Sequence, residues 1–229
     1  GHWVNLIDTP GRGDFLGQAI ACFPAVETVV VMIDAARGID TTVRRLMKVA
    51  EQRNLPRMII INGIDRPETD CAALLEQVRA AFGNGCLPIG LPAKGGIKDL
   101  MHIFASLLPN PLEGNPRPFL HRVDEDEQLV VPEPNADKSA IAHIFKVASD
   151  AFVGKLGVFR VHQGTIKAKG DVFIDDARKP IRIAHVIKRQ GKEHVDVEAI
   201  GPGDIGAVAK IEEVRFDGVL HGDHDEAPL

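Results

Sequence analysis

The sequence predicts an α/β domain on a mostly parallel sheet followed by an all-β barrel, and three observations carry that expectation. Up to about residue 110, short apolar runs alternate with amphipathic stretches, the pattern of parallel strands covered by helices. From Ser139 onward the apolar spacing changes to two, in short runs separated by glycines, as in a small barrel. Between these parts, Pro109 to Asn135 holds six prolines and the acidic run Asp124 to Glu127, which reads as a linker. The expected domains are therefore 1–110 and 139–229, joined by 111–138.

In the first domain, Val4 to Ile7 is expected as the opening strand, followed after a Pro-Gly turn by a helix near Phe15 to Phe23. Thr28 to Ile33 is the next strand. It leads into Thr41 to Gln52, where Val43, Leu46, Met47 and Ala50 fall at helical spacing. Met58 to Ile61 precedes a helix over Asp70 to Phe82 with Leu74, Leu75 and Val78 on one face. Cys86 to Leu91 precedes Ile97 to Leu108, whose stripe is Ile97, Leu100, Met101, Phe104 and Leu108. That makes four βα units. In the barrel the expected strands are Ile141 to Val147, Gly157 to Val161, Asp171 to Ile174, Pro180 to Ile187, His194 to Val197 and Ile205 to Ile211.

Composition narrows the function. Hydrophobic residues at 45% and charged residues at 26% of the 229 exclude disordered and fibrous classes. No apolar run reaches membrane-helix length, and the first residues have neither the basic nor the apolar region of a signal peptide. Three cysteines without CxxC spacing argue against a disulfide framework or a zinc site and for a reducing, cytoplasmic setting. A net charge of -5, spread over both halves, gives no global attraction to nucleic acid, so any such contact is local.

Two short patterns carry chemistry. In Leu6-Ile7-Asp8-Thr9-Pro10-Gly11 an apolar run ends in a carboxylate, a turn and a glycine. Such a carboxylate can hold a metal's water and such a glycine can bring its backbone N–H to a terminal phosphate; a plain turn capping the next helix is the alternative. In Met58 to Asp65 a buried run ends in Asn62-Gly63-Ile64-Asp65. The Asn62 amide can meet a purine, and the Asp65 carboxylate can accept from guanine N1–H and its 2-amino group together, which adenine does not offer. Each pattern alone is weak, but together, one βα unit apart, they are far more specific.

The residues then resemble translational GTPases, specifically elongation factor G and its bacterial paralogues. Asp8 to Gly11 and Asn62 to Asp65 look like the third and fourth nucleotide motifs of that family, and Val43-Arg44-Arg45-Leu46 and Leu108-Pro109-Asn110-Pro111 are similar to it as well. Phe152 to Val161, Gly164, Gly170-Asp171 and Gly203-Asp204-Ile205 resemble its second, β-barrel domain, so the likeness covers essentially the whole chain. The resemblance implies a partial P-loop GTPase domain, a GTP/GDP site with Mg²⁺, and ribosomal translocation or recycling. On matched positions the resemblance implies that Asp8 would hold the Mg²⁺ water and Gly11 the γ-phosphate, that Asn62 and Asp65 would read guanine, and that Thr9, Pro10, Gly63 and Ile64 belong to the same GTP-binding motifs. Ala93 stands near the family's Ser-Ala motif at guanine O6. Lys155, Arg160, Lys167 and Lys169 match the barrel region that faces small-subunit ribosomal RNA, though a solvated strand edge is the plainer reading of such charges.

The departures from the family are informative. No GxxxxGK[ST] occurs in the chain, most of an insert between Leu91 and Gly96 is missing, and the family's domains after the barrel are not represented. The expectation is an internal fragment that, alone, binds nucleotide weakly and does not hydrolyse it. Arg12 stands where the family has a water-positioning His; Arg cannot accept a proton, and it reads as a solvated loop arginine or as a stabiliser of phosphate charge. Gly63 stands where the family has a Lys whose stem packs over the guanine ring. Two rivals stay open: a non-enzymatic ribosome- or protein-binding remnant, and a translational GTPase of the tetracycline-resistance or peptide-release type. His143, His162, His185 and His194 lack ligand spacing, His221-x-x-His224 reads as a fraying acidic tail, and Asp175-Asp176 as hairpin charge.

Overall fold

The computed structural model describes residues 3–67, 69–84, 86–92, 96–114, 119–123, 126–150, 154–191 and 193–223. It divides into two compact units, Gly1–Pro109 and Asn110–Leu229.

In the first unit three parallel strands, β1 (Val29–Asp34), β2 (Arg57–Asn62) and β3 (Cys86–Leu91), lie in the order β1-β2-β3. β2 is central, so Met58, Ile59, Ile60 and Ile61 are all buried, the continuous apolar run of a strand covered on both faces. Ile59 and Ile61 join Val29, Val31 and Ile33 of β1 beneath α2 (Thr41–Gln52) and α3 (Cys71–Phe82). Met58 and Ile60 face the other way, onto Phe104 of α4 (Ile97–Leu107).

Caps account for the helix limits. Asp40 accepts the Val43 N–H at 2.8 Å and Asp70 the Ala73 N–H at 3.0 Å, each filling one of the donors a helix start leaves open. α2 ends in a Schellman turn: Asn54 is left-handed at φ 54°, its N–H donates to Glu51 O at 2.9 Å, and Leu55 N–H returns to Ala50 O at 3.0 Å. Leu55 is thereby folded back into the core.

Two expectations for this unit are corrected. Val4 to Ile7 is not a strand: residues 3–10 are irregular, with Leu6 68% exposed, and the short helix α1 (Leu16–Ala21) follows a 3₁₀ turn. A strand exists only through its ladder, and β1 is an edge strand of the described sheet. The described sheet therefore has three βα units rather than four. The stripe of α4 is also narrower than its spacing predicts, since Ile97 is 68% and Met101 39% exposed while Leu100, Ile103 and Leu108 pack beside buried Phe104.

In the second unit, β4 (Phe119–Val123) and β5 (Asp126–Val130) pair as a hairpin inside the stretch read as linker. Phe119 is buried against Ile141 and Val219, so this hairpin belongs to the core of its unit. An antiparallel sheet then runs in the order β10 (Ile181–Arg182), β9 (Asp171–Ile174), β15 (Val219–His221), β6 (Ile141–Asp150), β7 (Gly154–Gln163), β14 (Ile205–Ala209), β11 (Val186–Gln190) and β12 (Glu193–Val197). β8 (Ile166–Lys167) and β13 (Ala199–Ile200) add a short ladder. The sheet curls around one interior that includes Ala142, Ile144, Phe159, Val161, Ile183 and Leu220, giving a small β-barrel. The expected strand over Pro180 to Ile187 is two strands, and β8, β13 and β15 were not foreseen; each has two or three residues, too few for alternation to register.

His221 overturns its reading as part of a fraying tail. It lies in β15 at 1% exposure, stacks on Phe173, and donates through Nε2 to the Asp175 carbonyl at 2.7 Å. Asp175 is likewise a brace rather than loose hairpin charge: one carboxylate oxygen accepts the Val219 N–H at 2.8 Å, the other Arg215 Nε at 2.6 Å. His143 on β6 donates to Asp217 at 2.8 Å. His224 lies outside the described residues. Among the described residues no group of His, Cys, Asp and Glu is arranged to hold a metal, and no helix is long and apolar enough to cross a membrane.

The thiols supply a direct check of the first unit. Cys86 is buried, and burial pushes its thiol above the usual cysteine range, whereas Cys22 and Cys71 are partly exposed. A native thiol titration at pH 8 is expected to label Cys22 and Cys71 and to reach Cys86 only after unfolding; prompt labelling of Cys86 would contradict this packing.

Candidate functional site

The three parallel strands end together. Asp34 closes β1, Asn62 closes β2 and Leu91 closes β3 in one register, and open α/β sheets bind ligands beyond this carboxyl edge. Past Asn62 the chain turns at once. Gly63 takes φ 78°, and the N–H groups of Gly63 and Ile64 both donate to Leu91 O, at 2.9 and 3.2 Å. The Asn62 carbonyl accepts the Ala35 N–H at 2.9 Å, and the Cys71 thiol donates to Ile64 O at 3.1 Å. These bonds hold Asn62 half-buried and set Asp65 at the surface, so an amide and a carboxylate three residues apart share one rim.

Asp34 contributes a second carboxylate to this edge. It accepts the Ala36 N–H at 2.9 Å and takes Arg66 Nη1 through both oxygens, at 3.2 and 3.0 Å. The Ala36 hydrogen bond is the main reason that the Asp34 carboxyl lies below the usual aspartate range; burial opposes it, and Arg66 and then Arg37 add to the lowering. The pair therefore persists at neutral pH and is lost only on acidification below that range.

Arg66 was not singled out from the sequence. It follows Asp65 directly, but no spacing shows that its side chain folds back over Gly63. A Cβ placed on Gly63 would lie 2.8 Å from Arg66 Nε and 3.0 Å from its Cζ, so the guanidinium occupies the space a side chain at 63 would need.

The other predicted residues are placed less tightly. Asp8, Pro10, Gly11 and Arg12 are exposed and Thr9 half-exposed, all in irregular chain. A Cβ on Gly11 would meet nothing within 4 Å, which leaves open approach to its backbone. Two residues on, a Cβ on Gly13 would lie 3.5 Å from Thr42 Oγ1, which puts this segment beside the start of α2. Ala93 lies outside the described residues. In the barrel unit Lys167 and Lys169 are exposed, and Lys155 is half-buried and donates to Glu212 O. Arg160 is different: it is 5% exposed, with Nε bonded to Val161 O at 3.3 Å, and it is buried on the face of β7 opposite Phe159 and Val161, level with His143 of β6, rather than presenting charge to solvent. Of the family-matched barrel stretch, residues 152 and 153 are outside the described residues.

The carboxyl edge of the sheet thus carries Asn62 and, three residues on, the exposed Asp65 beside the Asp34–Arg66 ion pair. Comparison with known proteins identifies the setting. The family described as Elongation factor Tu GTP binding domain matches residues 1–209. Large ribosomal subunit assembly factor BipA of Bacillus subtilis is 25% identical over 232 residues, 97% of this chain and 37% of that protein. Peptide chain release factor 3 of Buchnera aphidicola is 35% identical over 107 residues, covering 46% of this chain and 20% of that protein. Peptide chain release factor 3 of Aromatoleum aromaticum is 37% identical over 92 residues, 40% of this chain and 17% of that protein. A crystal structure of a Thermus thermophilus protein shares the fold at a TM-score of 0.77 and 19% identity, covering 97% of this chain and 44% of that one. The chain spans less than half the length of each of these proteins.

Proposed function

Because the chain belongs to the Elongation factor Tu GTP binding domain family, we propose that it is the guanine-reading and barrel portion of an elongation factor G-like GTPase, working in ribosomal translocation or recycling in the cytoplasm. The observation that supports this reading is that Asn62 ends the buried central strand β2, half-buried, and that Asp65 follows three residues on at the surface. Asn62 meets the purine, and the Asp65 carboxylate accepts from N1–H and the 2-amino group, a pairing that rejects adenine.

The phosphate end falls to the Asp8–Gly11 segment, with the exposed backbone of Gly11 donating to the γ-phosphate. The donor set there is hard oxygen, and Asp8 and Pro10 are exposed, which fits a hydrated Mg²⁺ held through one carboxylate. Asp8 is the residue that would hold it, and the ion would supply neutralisation of phosphate charge. Loss of the γ-phosphate would release the Gly11 segment, the order–disorder change by which such factors signal hydrolysis.

The similarity to a ribosomal subunit assembly factor and to a peptide chain release factor supports a ribosome as partner. Lys155, Lys167 and Lys169 are the barrel cations that would lie on small-subunit ribosomal RNA, through phosphate contacts that salt weakens. Docking without hydrolysis is the second reading, and Arg12 favours it, since a guanidinium cannot take a proton from water.

The test is competition among nucleotides, followed by nuclear magnetic resonance titration of the 229-residue chain. GDP is expected to bind at least tenfold more tightly than ADP; equal affinities would end the guanine reading. For the partner, the chain is expected to pellet with small ribosomal subunits at low salt and to be released at 0.5 M salt, and Lys167→Glu with Lys169→Glu is expected to weaken pelleting severalfold. Failure to pellet at low salt would remove the ribosomal contact.

A further inference from the structure

We propose that the outer face of α2 is a second nucleic-acid surface, on which Arg44, Arg45 and Lys48 grip the phosphate backbone of double-helical RNA. At helical spacing the three fall within an arc of about 100°, on the side of α2 turned away from buried Val43, Met47 and Ala50. All three are exposed.

No acid neutralises them. Asp40, at the start of the helix, spends its carboxylate on the Val43 N–H, and Glu51, one turn beyond Lys48, is ion-paired with Arg57 at 3.0 Å. Among the described residues none of the three cations has a carboxylate within ion-pairing distance. The other long helices of this unit are balanced, α3 carrying Glu76 with Arg79 and α4 Lys98 with Asp99.

The arrangement works against the helix that bears it. Arg44 and Arg45 lie near the positive end of the α2 dipole, and Arg44 and Lys48 are like charges four residues apart. Packing does not require them, since they face water. Unpaired charges that a helix carries at some cost in stability point to a ligand outside the chain.

The chemistry of the face selects that ligand. No large apolar side chain of α2 is exposed, so the face lacks the apolar centre of a protein interface, whereas nucleic-acid interfaces are polar and strongly positive. It also has no aromatic residue on which single-stranded bases could stack, which favours a duplex. Neighbouring guanidinium groups can each fork onto phosphate oxygens, and such contacts need no particular base sequence. The choice of RNA over another polyphosphate rests on the ribosomal reading above; the cationic face itself depends neither on that reading nor on the guanine site.

The experiment follows a fluorescently labelled RNA duplex by anisotropy as the 229-residue chain is added, at about 50 to 200 mM salt. Arg44→Gln, Arg45→Gln and Lys48→Gln together are expected to weaken RNA about tenfold or more at the low end and to flatten the slope of log affinity against log salt by about two to three. The unfolding midpoint is expected to stay level or rise, because repulsion within the helix is removed. Lys48→Gln alone, mid-helix, is expected to flatten the slope by about one, and it carries the test if circular dichroism shows the triple variant unfolded. Folded variants that bind within twofold of the parent at an unchanged slope would overturn the proposal; if Lys167→Glu with Lys169→Glu then abolishes RNA binding, the barrel contact stands without α2. Polyglutamate bound as tightly as RNA would also overturn it, giving the face to an acidic protein. A parent that binds the duplex through α2 but does not pellet with small subunits would remove the barrel contact and leave the α2 surface in place.

Discussion

Gly164→Ala is expected to unfold the barrel unit under conditions where the parent is folded. Gly164 follows β7 at φ 66°, a region that costs a non-glycine residue about 1–2 kcal/mol. Space is the greater difficulty. A Cβ there would stand 2.5 Å from the Ala140 Cα, 2.6 Å from the Lys138 carbonyl oxygen and 2.7 Å from the Ala140 N. All three are backbone atoms, so no rotamer change relieves the overlap, and the Gly164 N–H to Asn135 O bond at 2.9 Å pins the turn in place. Overpacking adds about 1–3 kcal/mol or more, and together the two effects reach on the order of 4 kcal/mol, a large part of a domain's total of about 5–15. Gly191→Ala is the internal control, with φ 61° but nothing within 4 Å of its Cβ. It is expected to cost only the backbone strain. Urea unfolding followed by circular dichroism separates the two, and similar midpoints for both variants would show that the close approach at Gly164 is not real.

Asp65→Asn is expected to exchange guanine for xanthine preference. A carboxylate offers two acceptors to N1–H and the 2-amino group; an amide turns one of them into a donor, which faces the guanine amino group unfavourably and the 2-oxo group of xanthine favourably. Losing a charge-assisted pair and leaving donors unmatched costs on the order of 3 kcal/mol, about a hundredfold in affinity. GDP binding should fall by that factor relative to XDP, with no change in unfolding midpoint because Asp65 is exposed. Unchanged GDP affinity in a folded Asp65→Asn chain would remove Asp65 from base recognition and with it the main support for the proposed function.

Legibility followed from how local each feature is. Thr41 to Gln52 and Cys86 to Leu91 are read from sequence with the bounds the structure has, because an Asp cap, a helical apolar stripe and a short apolar run are all contained in a dozen residues or fewer. The opening run Val4 to Ile7 has the same apolar character and is no strand, since strandedness depends on a neighbour that the local pattern does not contain. His221 shows the converse. Set in a polar, acidic stretch, it reads as solvated tail, yet β15 pairs with both β6 and β9 and carries it inside. Phe119 is similar, hidden among prolines and placed in a core only by residues 141 and 219.

The candidate site divides along the same line. Residue identity and spacing alone determined the α/β-then-barrel order and the chemistry of Asn62 and Asp65, because donor and acceptor patterns are properties of side chains and a strand ending in a polar pair is a local arrangement. Tertiary structure alone decided that Asp34, 32 residues away from Arg66, holds that arginine over Gly63, and that Arg160 is buried while Lys167 and Lys169 are exposed. The physical reason is that an ion pair, or burial, is a relation between distant parts of the chain: the sequence names the charges, and only folding sets which of them meet and which are left in water.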